Sequence, residues 1–182
     1  MIRIPMFAAA AALAAAAALS GCAQYRWTSG VPAEMRTVAV PQAINKTGDP
    51  EIGAVATRQT LREFQREGTF AVRDQGDAAL EVQIVLKRAD RTPLAYDRNY
   101  GMRASEYRAA VYAEVSFIDK VSGRVLADNR RYVAETTFMS GRDLLTGNRN
   151  AFERLGADIA RQIVDDARNL DFGGGAKGEA VK

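Results

Sequence analysis

From Tyr107 to Phe117 every second residue is apolar: Tyr107, Ala109, Val111, Ala113, Val115 and Phe117. Alternation with period two puts all six on one side of a pleated strand and leaves the other side to water. Such a strand cannot stand alone. It needs neighbours along its edges and a cover over its apolar face. The neighbours are close in the chain. Leu80, Val82, Ile84 and Leu86 alternate with Glu81, Gln83 and Lys87 in the same way. After a turn at Asp119-Lys120-Val121-Ser122-Gly123, Arg124 to roughly Thr137 forms a third run, spaced to close an antiparallel hairpin. Shorter strands are expected at Arg36 to Val40, stopped by Pro41, and at Thr69 to Arg73.

Two helices can supply the cover. Asp49 can cap a helix whose first position suits Pro50, and Gly68 can end it after Glu67. Ile52, Val55, Ala56, Leu61 and Phe64 give it an imperfect apolar stripe, while Arg58, Arg62 and Arg66 form a row on a solvated face. A second helix is expected from near Asn150, after a Gly/Asn-rich loop from Gly141 to Asn148; Asn150 and Glu153 have capping-box spacing. Its stripe of Phe152, Leu155, Ile159, Ile163 and Ala167 is the cleanest in the chain. The order strand, helix, four strands, helix predicts an α+β two-layer sandwich: a mixed four- to five-stranded sheet covered on one face by two helices. The first strand–helix–strand unit calls for a parallel neighbour. The domain is expected over 36–170, with a Gly-rich disordered tail over 171–182.

Composition removes several functions. With no histidine, the chain lacks His-based triads, most zinc sites and the commonest general base near neutral pH. A single cysteine excludes an internal disulfide and any CxxC metal or redox motif. The net charge of +3 comes without a dense basic run, so nucleic acid is not an expected partner. Asp90 with Asp97, or Asp165 with Asp166, are the carboxylate pairs an enzyme would use. They read as ordinary loop and helix-surface acids with no apolar pocket to raise a pKa. No enzyme activity, cofactor or metal is expected.

The N-terminus sets the location. Residues 1–6 carry Arg3 and no acid, and Phe7 to Leu19 is an unbroken run of small and apolar residues, mostly alanine. The run is shorter than the roughly 20 residues that cross a bilayer as a helix. A short positive region, a short apolar region and a small-residue junction describe a secretory leader over 1–21. The junction Leu19-Ser20-Gly21-Cys22 matches the bacterial lipobox, in which the cysteine sulfur is alkylated with diacylglycerol and becomes the mature N-terminus. Cys22 is the expected lipidation site, and residues 22–35 a lipidated tether carrying Tyr25 and Trp27. Ala23, rather than Asp, follows Cys22. By resemblance to Gram-negative sorting signals this favours the periplasmic face of the outer membrane.

An ordered set of short motifs runs through the mature chain. They are Leu-Ser-Gly-Cys at 19–22, Thr-Val-Ala-Val-Pro at 37–41, Asn-Lys-Thr at 45–47, Leu61 with Glu63-Phe64, and Asp77-Ala78-Ala79-Leu80. Thr-Pro-Leu-Ala-Tyr-Asp at 92–97, Glu-Tyr-Arg at 106–108, Asp-Lys-Val-Ser-Gly-Arg-Val-Leu at 119–126 and Ile159 to Val164 complete it. Taken in order, the set resembles the LPS-assembly lipoprotein family LptE. It departs from that family where Ala23-Gln24-Tyr25 replaces Gly-Tyr after the cysteine, and where Gln42-Ala43 follows Pro41. The resemblance implies a non-catalytic lipoprotein that assists assembly of the outer-membrane β-barrel LptD, sits in its lumen and interacts with lipopolysaccharide in transit. An accessory lipoprotein of another cell-envelope transport complex is the alternative.

One segment stands out as a candidate site. From Lys87 to Arg108 lie Lys87, Arg88, Arg91, Arg98, Arg103 and Arg108 against Asp90, Asp97 and Glu106, with Tyr96, Tyr100 and Tyr107 interleaved. Pro93 and Gly101 make 88–104 read as a projecting loop between two strands. Guanidinium forks grip phosphate in bidentate fashion, and lipid A is a phosphorylated glycolipid. Arg88, Arg91, Arg98 and Arg103 are therefore the candidate contacts to lipopolysaccharide or to the barrel; the competing reading is a solvated, salt-bridged loop. Arg130-Arg131 could extend the patch or lie on an exposed face.

Overall fold

The computed structural model describes residues 30–98, 103–139 and 144–173. The leader over 1–21, Cys22, Tyr25, Trp27, and the tail from 174 onward lie outside the described residues, as do Tyr100 and Gly101. A short 3-10 turn, Ala33–Met35, leads into the sheet. Val31 and Met35, inside the stretch expected to be tether, are buried in the core. The elements that follow are β1 (Thr37–Ala39), β2 (Ile44–Asn45), α1 (Ile52–Glu67), β3 (Ala71–Val72), β4 (Leu80–Asp97), β5 (Arg103–Asp119), β6 (Arg124–Met139) and α2 (Leu144–Arg168).

The strands form one mixed sheet in the order β3-β1-β4-β5-β6, with the short β2 also on β4. β1 runs parallel to β3 and β4, and β2 parallel to β4. The three long strands are antiparallel neighbours. The expected α+β sandwich is the fold observed, with one short strand, β2, beyond the expected count.

Periodicity explains the layers. Leu80, Val82, Ile84 and Leu86 meet Val111, Ala113, Val115 and Phe117 on one face, each no more than 2% exposed. Leu155, Ile159, Ile163 and Ala167 of α2 close over them. Burial of each large aliphatic or aromatic side chain contributes about 1.5–3 kcal/mol, so the strands and the α2 stripe stabilise one another. Phe64 of α1 packs edge-to-face on Phe70, ring centres 5.5 Å apart. Gly68 ends α1 with φ of 80°, its N–H donating to the Phe64 carbonyl at 3.1 Å.

Two helix starts differ from expectation. α1 begins at Ile52, and Asp49 acts one step earlier, its Oδ1 accepting the Glu51 N–H at 3.0 Å. α2 is helical already at Leu144, so residues 144–148 of the expected loop are helical; 141–143 of that loop lie outside the described residues. Glu153 does not serve a capping box there. Its carboxylate instead receives Arg58 and Gln59 of α1. The helices approach closely at Gly156, where a Cβ would stand 3.0 Å from Val55 Cγ1. That small residue lets the cross-helix bonds form.

Candidate functional site

Past Leu86 β4 leaves β1 and β2 behind, while β5 stays paired with β6 as far as Glu106. β1 meets β4 only at Leu80 and Glu81, and β2 only at Val85 and Leu86. From there to Asp97 the outer edge of β4 has no partner strand among the described residues. Pairing with β5 nevertheless continues, from Arg88↔Tyr112 to Asp97↔Arg103. The segment expected to be a loop is therefore mostly strand: an arm of β4 backed by β5 and β6 as far as Ala95, and two-stranded only at its tip. Pro93 is tolerated because it sits on an edge strand, where its missing N–H costs no interior hydrogen bond.

Register irregularities place the arginines. The ladder skips Lys87, between Leu86↔Ala113 and Arg88↔Tyr112. Paired residues share a face, so Arg88 lies with Tyr112 on the side away from the helices. Arg91 pairs with Ala109 and lies on the helix side. Further shifts around Ala95 carry the arm to Asp97↔Arg103. Arg98 and Arg103 are exposed at its end. The four candidate arginines thus share one arm but occupy both of its faces.

Their charges are differently engaged. Arg88 Nε bonds Asp90 Oδ2 at 2.8 Å, and its guanidinium stands 4.3 Å from the centre of the Tyr112 ring. Lys87 pairs with Glu114 at 3.0 Å, and Arg131 reaches the same carboxylate at 3.9 Å. Arg130 turns instead to Asp166 of α2, 3.0 Å away. Among the described residues, Arg91, Arg98 and Arg103 make no ion pair and stay exposed. The solvated salt-bridged reading fits Arg88; the other three present open forks.

Exposed apolar residues stand at the same end; of these the sequence singled out only Tyr96. Leu94 is 47% exposed, Tyr96 54%, Met139 70% and Leu145 78%. Met139 pairs with Glu106, which pairs in turn with Ala95, so one row of the sheet crosses from β6 to the arm. Beside it a groove of about 380 Å³ is lined by Glu106, Phe138, Met139, Gly147, Asn150 and Arg154. Phe138, which lines the groove, stacks on Tyr107, ring centres 5.6 Å apart. Leu94 beside the cations was the missed signal, hidden by taking 88–104 as a loop; Met139 and Leu145 reach this end only through the pairing of β6 and the start of α2.

The far end of the sheet is built differently. Asp119 organises the β5–β6 turn: Ser122 Oγ donates to Oδ2 at 2.5 Å, and the N–H groups of Val121 and Ser122 donate to Oδ1 at 2.9 and 3.2 Å. The Ser122 bond, assisted by those amides and by nearby Arg124, holds its carboxyl below the ordinary range despite burial. Burial alone would raise Glu81. Hydrogen bonds from Gln83 and Gln75 and the charge of Lys120, 3.5 Å away, outweigh it and bring Glu81 down. Burial, then the bond to Asp166, pushes the Tyr132 hydroxyl well up; it donates to Asp166 Oδ2 at 2.6 Å. These groups are structural latches. Among the described residues no three His, Cys, Asp or Glu side chains gather as a metal site.

Residues 35–167 match the family model described as LptE, lipopolysaccharide-assembly. No curated protein matches the chain. Among solved structures, a protein from Xanthomonas campestris is similar at 14% identity and TM-score 0.51, over 76% of this chain and 89% of that one. A protein from Caulobacter crescentus, named in its description as a lipoprotein, is similar at 15% identity and TM-score 0.50, over 72% and 88%. Rare lipoprotein B from Shewanella oneidensis follows at 13% identity and TM-score 0.49, over 73% and 94%. At such identities the first two establish a shared fold alone, and the third falls short of that.

Proposed function

The chain belongs to the lipopolysaccharide-assembly family LptE, and from that premise we propose that it is an outer-membrane lipoprotein, held at the periplasmic face by acyl groups on Cys22. In this reading it assists assembly of the β-barrel LptD, occupies its lumen, and touches lipopolysaccharide on its way to the surface. It carries out no covalent chemistry. One acyl chain binds a membrane only marginally, whereas two or three hold it stably, at about 0.8 kcal/mol per buried CH₂.

The observation that carries the reading is the amphiphilic end of the sheet. Open guanidinium forks on Arg91, Arg98 and Arg103 stand at the same end as exposed Leu94, Tyr96, Met139 and Leu145. A phosphorylated glycolipid with acyl chains has the matching chemistry: anionic groups for the forks, hydrocarbon for the apolar side chains. Arg88 is the weakest of the four candidates, because Asp90 and Tyr112 already hold it.

Two measurements test this. The full-length lipoprotein, pulled from outer membrane, should bring a large β-barrel with it and begin at an acylated Cys22; recovery with an inner-membrane assembly instead would refute the placement. Replacing Arg91, Arg98 and Arg103 together with glutamate should weaken retention of purified lipopolysaccharide by at least about tenfold, roughly 1.4 kcal/mol. Unchanged retention would remove the arm from the site.

A further inference from the structure

A long outer strand is a hazard, because its free N–H and C=O groups form a template for another strand. This sheet has three outer edges, and each is treated differently. β3 is only two residues long. The outer edge of β4 past Leu86 carries Pro93 and the irregularities at Lys87 and Leu94. β6 has neither protection over most of its length: from Arg130 to Met139 it is unbroken, in regular register with β5, and among the described residues no strand borders its other side.

Side chains of α2 reach the backbone of β6 instead. Gln162 Nε2 donates to the Val133 carbonyl at 3.3 Å, and Arg154 Nη2 to the Thr137 carbonyl at 3.1 Å. Val133 and Thr137 are four apart, so their carbonyls point to the same side of the strand. Gln162 is itself held by the Asp158 carbonyl at 3.3 Å. Lower down, Asn129 has φ of 48°, which breaks the regular edge, and Arg130 is drawn to Asp166. The contacts run at intervals along the strand, from Arg130 through Val133 to Thr137.

We propose that Arg154 and Gln162 seal the outer edge of β6 against antiparallel pairing with the β6 of a second copy of this chain. The occupant excluded is a second copy because a two-fold pairing of identical edges needs no other partner and would bury exposed Val133 and Met139 in both chains. Both sealing side chains are exposed, so their loss removes edge protection without opening the core.

The test uses the full chain in detergent and its Arg154→Ala/Gln162→Ala variant, compared by sedimentation over a range of concentrations. The variant should self-associate at least about tenfold more tightly than the parent. Adding Glu135→Pro removes an N–H of the same edge, which an outer strand tolerates, and should return the protein to the parent's state. A double variant that sediments as the parent does overturns the proposal. So does association that Glu135→Pro leaves intact, because it would run through another surface.

Discussion

β4 and β5 are one continuous ladder, yet its two halves behave as different materials. From Leu80 to Leu86 the pair is flanked by β1 and β2 and covered by α2, and alternate side chains are essentially inaccessible. From Arg88 to Asp97 the same two strands, still paired, carry open arginines and half-exposed Leu94 and Tyr96. The hydrogen-bond pattern is common to both halves. What differs is the company on the outer side of β4: β6 still flanks β5 as far as Glu106, but beyond Leu86 no strand among the described residues borders that side of β4, and there its burial falls away. A strand's chemistry is therefore set by what lies on its face and beyond its edge, and only secondarily by its own pairing.

The sharpest break of this contrast is a large-to-small change in each half. Phe117→Ala, at a fully buried site in the covered half, should cost about 3–5 kcal/mol in denaturant unfolding. Tyr96→Ala on the arm should stay within about 0.5 kcal/mol while remaining free to alter lipopolysaccharide retention. Similar losses at both sites would erase the distinction. Next in size is Gly156→Val, which forces a branched side chain against Val55 where even a Cβ would stand at 3.0 Å; a loss of about 1–3 kcal/mol in thermal unfolding is expected. A neutral result would mean that the two helices slide apart freely.

Acid should find the covered end first. Asp119 and Glu81 both have carboxyls held below their ordinary values in the folded chain. Between the folded and unfolded values the unfolded chain binds more protons, so their contribution is present above about pH 4 and is lost as pH falls through the folded values. Asp119→Asn should therefore cost about 1–2 kcal/mol at pH 7 and flatten the decline in urea midpoint below pH 4. An unaltered decline would move the acid sensitivity to other groups. The smallest effect concerns the arm: Arg88→Gln breaks an exposed pair with Asp90 and should change stability by no more than about 1 kcal/mol, measured by urea titration at low and high salt.

Much of this was legible in the residues. Tyr107 to Phe117 and Leu80 to Leu86 announce half-buried strands, and Phe152 to Ala167 announces the helix that covers them. The turn at Asp119 to Gly123 is equally plain. The arm was not. Its strand state rests on pairing between 88–97 and 103–112, and the skip at Lys87 throws the alternation out of phase, so no period-two signature survives. Pro93 then reads as a breaker, although on an outer edge it is permitted. The candidate arginines could be named from the sequence, but their division between two faces could not, because a bulge decides it. Glu153 teaches the same point: its spacing from Asn150 suggests a local cap, yet the closeness of the helices at Gly156 brings Arg58 and Gln59 within its reach.

The sequence by itself determined which side chains must leave water, and with them the two-layer α+β plan and the family to which the chain belongs. Those properties are local: periods of two and of about 3.6 residues, turn chemistry and short motifs in order. Tertiary structure alone decided where β4 loses its outer cover, which carbonyls of β6 receive side chains of α2, and which cations stand without an ion pair among the described residues. Each of those depends on contacts between segments far apart in the chain, and such contacts leave no period to read.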